Sequence, residues 1–534
     1  MGEDVGGALL VYDWCYDKLT EAQRTRWLGY ANQAIWNVWN HEQATWGGRA
    51  EPWNGWSVDN PGNNYYYSFL EATMYFGLAA RGEHEAADSW RDMFRNTKLR
   101  DEAVPFFRDH LVGGGSQEGT GYGVAFARLF KLFAFWEYST TERIARLTPH
   151  PRASMPHMMH TTVPTLDYVN PTGDHAREST GAWFDYHRDY LQILASLYEE
   201  ERIASATWGF LAETSVPKMG QQFMYYSDFL FAGVNPQSEP PSALATAYHG
   251  AGTGQISIRS DWSKTATYFN MLCGPYAESH AHRDQGSFLL YRGKWLAYDA
   301  NYHSHSGIEQ AEEMHNLVRV QQGGSTVRQG IGNACNLLAL ANEERFAYAQ
   351  TDATPLYTGK DAVTKMEREV VFLKPDTLVV FDRVDVGAGA SRIWQLNTPV
   401  RPTESGARLR VVNEGNALDV FRVAPANAAV QILSWADGSP VAEGSMNGGF
   451  RTDVTGSEPT FLHVLATGDA VSATENDSTA DQTGVRITFA DGRSAVVRFS
   501  TSGRGGTLQY TVNGTAVHDG ALPSGVQELA LFNP

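Results

Sequence analysis

The chain has 534 residues, enough for two or three domains, and its 42% hydrophobic and 19% charged residues are the composition of a folded protein, not a disordered one. Its net charge of −18 excludes a general affinity for nucleic acid, which needs a basic footprint, although a local basic cleft in an acidic protein can still hold a polyanion. No run nears the roughly 20 apolar residues that cross a bilayer. Cys15, Cys273 and Cys335 are too few and too scattered for a disulfide framework, and none lies in a CxxC pair.

Met1-Gly2-Glu3-Asp4 lacks the basic start and apolar stretch of a signal peptide, and Leu9 to Trp14 reads as helix already under way, so an upstream segment is expected to have been removed or left out. Thr20-Glu21-Ala22-Gln23 is a capping box that opens a helix through Ile35, Val38 and Trp39. Helical spacing recurs over Val124 to Phe135 and Tyr190 to Leu197, between Gly- and Asn-rich loops such as Asp59 to Asn64. Eleven of the 15 tryptophans precede residue 246, with Trp36, Trp39, Trp46, Trp53 and Trp56 near the first of these loops. Flat aromatic faces there suit sugar rings as well as helix packing. Trp53, Trp56, Asn63, Asn64 and Tyr122 are therefore candidates for substrate binding.

The period changes beyond the Pro/Ser-rich stretch 236–241. Val370 to Phe372 and Leu378 to Phe381 flank the turn Lys374-Pro375-Asp376, Val485, Ile487 and Phe489 alternate toward Asp491-Gly492, and Asn513-Gly514 marks another hairpin. Residues 1–240 are thus expected to be a helical domain of paired helices, and 241–534 one or more antiparallel β-sandwich domains.

The chemistry concentrates in 273–316: Gly274-Pro275-Tyr276, then His280-Ala281-His282-Arg283-Asp284-Gln285-Gly286-Ser287-Phe288, then Leu296-Ala297-Tyr298-Asp299, then His315-Asn316. Read as a strand, 280–282 would project His280 and His282 from one face, where two imidazoles and a carboxylate make a divalent-metal site. Spacing alone leaves open whether both histidines are ligands. The segment resembles the β-domain signature of the heparinase II/III-like polysaccharide lyases. Tyr12-Asp13-Trp14 with Leu19-Thr20, Gly115-Ser116-Gln117-Glu118-Gly119 with Tyr122, and Arg368 to Phe372 with Asp382-Arg383-Val384 extend the likeness over most of the chain.

The resemblance implies an (α/α) toroid packed on a β-sandwich, with zinc held structurally by His282, Asp299 and His315, and His280 as the catalytic histidine. Asp284 reads instead as a group that orients or caps a neighbouring histidine. The resemblance also implies export to the periplasm or medium, an acidic polysaccharide as substrate, and admits a homodimer. Lyases of this kind remove the C5 proton of a uronate and expel the C4 oxygen, so they must neutralise the carboxylate and supply a base and an acid. Gln117 and Glu118, after the glycine run 113–115, fall where the family neutralises the carboxylate. Tyr168, 51 residues past Gln117 and just before Gly173-Asp174, is the favoured partner of His280, with Tyr122, Tyr186 and His175 as rivals and Tyr302 as a second tyrosine. Arg283, Arg292, Lys294, Arg319, Arg177 and Arg188 are candidate cations for the polymer. Two other classes fit the sequence: a toroidal glycoside hydrolase using Glu118 and Asp174, and a carbohydrate-binding protein without turnover.

Overall fold

The computed structural model describes residues 2–174, 181–216, 225–231, 237–300, 310–435 and 449–533. Up to Phe231 these residues are helices and loops with one small hairpin; from Ala247 onward they are sheets, antiparallel except where Gly525–Val526 pairs parallel with Asn336–Asn342. The helix Glu21–Trp39 shows how the first half is built. Thr20 accepts a hydrogen bond from the Gln23 amide, Gln23 accepts one from Thr20 in return, and such caps are worth about 1 kcal/mol. Its buried residues Leu28, Ala31, Ile35 and Val38 recur at helical spacing and face the central helix Asn64–Ala79.

Four sheets of five or more strands make up the second half. The nine-stranded one explains the unbroken apolar runs near residue 375. Its strands Val363–Leu373 and Thr377–Val386 pair from Leu373↔Thr377 outward around the turn at Pro375. Val370, Phe372, Leu378 and Val380 point into one core, while Val371, Leu373, Val379 and Phe381 point into another, shared with the strands from Val471 to Ala521. Both faces are covered at 370–373 and 378–381, so these stretches carry no polar alternation.

The five-stranded sheet that runs from Ala247 to Ala297 does the same for the helices. Phe288, Leu290 and Leu296 face the first sheet core, and Tyr268, Leu289, Tyr291 and Trp295 face Val163 and Tyr168 of the helical half. A buried arginine seals this joint. Arg259 donates to the carbonyls of Met159, His160 and Thr162 at 3.3, 3.3 and 2.8 Å, neutralising the negative end of the helix His150–Thr161. From that helix His157 meets the Thr253 hydroxyl at 3.1 Å. The chain end returns to the helices: Phe532 bridges Leu244 and lies under Arg202.

The sequence reading missed one covalent link. Cys273 and Cys335, 62 residues apart, form a disulfide at the edge of the sheet core. Two cysteines do not announce a pair by spacing; only the antiparallel ladder of Pro275–Tyr276 with Asn333–Ala334 brings them together.

Burial drives the His157 pKa down to about 3. Below pH 6.5 the unfolded chain takes this proton and the folded one does not, so folding loses stability as pH falls. The stability difference between the wild type and a His157→Asn variant, read from denaturant titrations, should shift against the wild type by about 1.4 kcal/mol per pH unit between 6 and 4. A difference independent of pH would refute a neutral histidine at this joint.

Candidate active site

His280 and His282 lie on a loop, 277–287, and not on the strand expected from the sequence. What unites them is a carboxylate from the helical half. Asp174 Oδ2 is 2.9 Å from His280 Nδ1, and Asp174 Oδ1 is 2.8 Å from His282 Nε2. Gln310 donates to both oxygens at 3.2 Å. Burial opposes the charge of Asp174, but the two imidazoles outweigh it and hold its pKa at about 2.

The backbone around this aspartate fits with little tolerance. The Asp174 amide donates to the His280 carbonyl at 2.8 Å. Gly173 has φ +68°, and a Cβ there would stand 2.5 Å from the Glu118 carbonyl and 2.9 Å from that of His280. Thr120 donates to the Thr172 and Asn170 carbonyls at 2.9 and 2.6 Å, from its amide and its hydroxyl. Gln255 of the sheet then grips this loop, accepting from Asn170 and donating to Thr172. The segments 116–120 and 170–174 are thereby zipped together and docked on the His280 loop.

Glu118 is the second feature of the site. It is 1% exposed, and Asn63 and Asn64 donate to its Oε1 at 3.1 and 3.0 Å. Asn63 caps the helix Asn64–Ala79, accepting from the Tyr65 amide at 3.1 Å, which fixes its amide for Glu118. Burial pushes the Glu118 carboxyl up to about 7, despite the pull of Asn64 and of nearby His280. Glu278, two residues before His280, accepts from Asn60 at 3.2 Å and is raised by burial. Burial also works against a charged His280, but Asp174, Glu118 and Glu278 outweigh it and lift its pKa above the ordinary value. Tyr122 stacks flat on His280, ring centroids 3.8 Å apart and planes at 7°.

The tyrosine that meets His280 is therefore Tyr122. Tyr168, favoured from its spacing, packs against the sheet face of Leu289, Tyr291 and Trp295. Gln117 is likewise displaced from its expected role. Its amide donates to the carbonyls of His110 and Gly252, both at 3.0 Å, and so ties the helical half to the sheet. The glycine loop before it is close-packed, with Gly114 against Ser154 and Gly115 against the His157 ring.

The metal candidates regroup. Ligand atoms of His282, Asp284 and His315 lie within 4.8 Å of one another and all three residues are buried. Asp299 Oδ2 is instead 3.0 Å from His315 Nδ1, which leaves the buried His315 Nε2 without a hydrogen-bond partner. Asp284 thus lies in the cluster where Asp299 was expected, and Asp299 is hydrogen-bonded to His315. His315 rises to about 9: burial lowers it, and Asp299 with Asp284 more than offsets that. Burial raises Asp284 to about 6.

Most of the predicted cations are engaged elsewhere. Arg319 is buried on Gln395 and Asp453, Arg292 holds Thr467, Lys294 pairs with Glu414, and Arg188 pairs with Asp228. Arg283 is part-buried beside the site, its amide on the Gln310 carbonyl. Trp53 is fixed through its indole N–H on the Asn37 carbonyl and packs on Phe69, whereas Trp56 is 52% exposed. Tyr186 stacks on Phe184 in the helix start. Tyr302, His175 and Arg177 lie outside the described residues. Sequence reasoning missed Asn60, Gln310 and Glu278, and gave Asp174 only to the hydrolase reading; the Gly173-Asp174 turn and an acid two residues from His280 were the available signals.

No family model matches the chain. A heparin-sulfate lyase of Pedobacter heparinus is 27% identical over 200 residues, which are 35% of this chain and 29% of that protein, so the chain spans less than a third of that relative. The crystal structure of heparinase III superposes with a TM-score of 0.66 at 12% identity, covering 93% of this chain and 74% of that one. Heparan sulfate lyase HepC from Pedobacter heparinus gives 0.60 at 13% identity over 91% and 71%. The fold is that of heparinase III.

Gly173 is the position least able to change. A Gly173→Ala variant should lose about 2 kcal/mol in denaturant titrations, because the left-handed backbone and the two carbonyls both oppose a methyl group. Unaltered stability would mean that the loops at 118, 173 and 280 do not converge as described.

Proposed function

We propose that this chain is a polysaccharide lyase that cleaves a uronate-containing glycosaminoglycan by β-elimination. The observation that carries the reading is the convergence of His280, Tyr122 and a buried, neutral-prone Glu118 beside two fixed asparagine amides. The names of the relatives, a heparin-sulfate lyase and heparinase III, favour a glycosaminoglycan over alginate.

A uronate carboxylate placed against Glu118 receives a hydrogen bond from its protonated oxygen, and this stabilises the charge that develops when the C5 proton leaves. His280, with Nδ1 turned to Asp174, presents Nε2 to the sugar as base. Tyr122, held flat on the imidazole, offers its hydroxyl to the departing C4 oxygen. The hydrolase reading needs a second free carboxylate, and Asp174 is spent on two imidazoles.

His282, Asp284 and His315 fit a structural zinc ion, as the unpartnered His315 Nε2 supports. Such an ion would supply a rigid brace between the His280 loop and the strand Val318–Gln322. In the same reading the helices close as an (α/α) toroid, the sheets form β-sandwich layers, and the protein works in an oxidising compartment outside the cytoplasm, consistent with the disulfide. Among the described residues no helix is long and apolar enough to cross a membrane.

Against heparan sulfate, absorbance near 232 nm from the new double bond should accumulate, and both His280→Ala and Tyr122→Phe should lower kcat by about 10² or more. Tyr168→Phe should stay within a few-fold. Turnover that survives without His280, or products without that absorbance, would sink the lyase reading.

Because Glu118 titrates at about 7, kcat/KM should fall as pH rises above 7 while its proton is lost, and Glu118→Gln should abolish that limb. Purified protein should carry about one zinc per chain by atomic emission, with metal lost from His315→Ala. An unchanged metal content in that variant would remove His315 from the ligand set.

A further inference from the structure

A pair of exposed aromatic rings stands on the helical half away from the catalytic groups. Tyr30 is 59% exposed and Trp46 is 41% exposed, yet they form an edge-to-face pair with centroids 4.9 Å apart. Large rings left in water and still held rigid call for a partner. The rigidity is built. Trp46 lies on a hairpin, Thr45–Trp46 with Arg49–Ala50, closed by Gly47-Gly48 at φ +57° and +77°, values that a side chain would resist. Asn37 grips this hairpin like a neighbouring strand: its amide donates to the Thr45 carbonyl at 2.8 Å and its oxygen accepts from the Thr45 amide at 3.1 Å. Gln33, one turn earlier, donates to the same carbonyl at 3.3 Å.

The charge beside the rings is positive. Arg49 is the cross-strand partner of Trp46 and so shares its face, and Arg26 precedes Tyr30 by one helical turn. Both are exposed, and neither has an ion-pair partner among the described residues, although most arginines in this acidic protein do. Along the chain the patch leads toward the active site. From the hairpin the chain passes Trp53, exposed Trp56 and Asn60 to reach Asn63 and Asn64, and Trp53 packs on Phe69, which meets the half-exposed Tyr65.

We infer that Tyr30 and Trp46, flanked by Arg26 and Arg49, form a remote subsite for an acidic polysaccharide, binding sugar rings of the same chain that is cut at His280. Flat rings take the apolar faces of sugars, and the guanidinium groups take carboxylate or sulfate. The inference rests on the lyase reading only for the identity of the polymer. An anchor of this kind holds long chains and does nothing for short ones.

Binding of heparan sulfate chains is measured by affinity electrophoresis in a His280→Ala background, so that no cleavage interferes. Adding Trp46→Ala with Tyr30→Ala should weaken binding about tenfold, the effect of losing 1.4 kcal/mol, and Arg49→Gln should flatten the salt dependence. In the active enzyme the ratio of kcat/KM for polymer to that for tetrasaccharide should fall to a similar degree in the double aromatic variant. Equal binding by all variants, or no binding of heparan sulfate, hyaluronan or alginate by the parent, overturns the subsite. Weakened binding in a protein that never yields the 232 nm product would keep the subsite and discard the lyase.

Discussion

Both oxygens of the Asp174 carboxylate are taken by imidazoles that come from the other half of the molecule. This is the contact on which the site depends. A buried carboxylate with a single partner would favour its neutral form; with two imidazoles and the Gln310 amide it stays ionised and fixes two rings on a loop that has no strand ladder of its own. His280 inherits an oriented Nδ1, and with it a defined direction for Nε2. His282 is oriented through Nε2, and a ring nitrogen of it lies within 4.8 Å of ligand atoms of Asp284 and His315. One aspartate thus couples His280 to the cluster of His282, Asp284 and His315 and couples helices to sheets.

Three carboxyl groups crowd the histidine of this site. Glu118, Glu278 and Asp174 surround one histidine, and no lysine faces them among the interactions described. Ionised together they would repel a uronate. Burial resolves the conflict by raising Glu118 and Glu278 while hydrogen bonds keep Asp174 charged. Neighbouring carboxyls are pushed apart in acidity, and each end of that spread has a use in the proposed reaction: a proton donor for a substrate carboxylate and an anion for the imidazole. Under the same proposal, attraction of an acidic polymer falls to other parts of the surface, such as the arginines beside the exposed rings.

Much of this was legible from the residues. Helical spacing and the capping box at Thr20 located the first helices, and turn signals at Pro375, Gly492 and Asn513 located hairpins, because these features depend on local backbone chemistry. His280, Glu118, Asn63 and Asn64 were singled out and converge. What failed was anything set by tertiary approach. Tyr168 has the better sequence spacing, but Tyr122 sits one helical turn past Glu118 and is carried to His280 by the docking of the loops. Asp284 lies with His282 and His315 while Asp299 meets the His315 ring, because a two-residue offset from His282 on an irregular loop has no fixed direction, unlike on a strand. The Cys273–Cys335 bridge needs the fold before it can be seen.

The sequence signature that flags the family-like segment turns out to be mainly scaffold. Asn316 donates to the carbonyls of Phe288 and Tyr298 and accepts from the Asn397 amide. Arg368, paired with Asp382 at 2.6 Å, donates to the carbonyls of Gly286 and Asn316 at 2.7 and 2.8 Å. These buried groups close the backbone ends of the His280 loop from behind, where unsatisfied carbonyls would otherwise oppose burial. On this irregular loop the two histidines turn toward the two oxygens of a single carboxylate. The buried arginine and asparagine hold the end of the loop at Gly286 to Phe288, so that the rings keep one orientation although no strand ladder supports them.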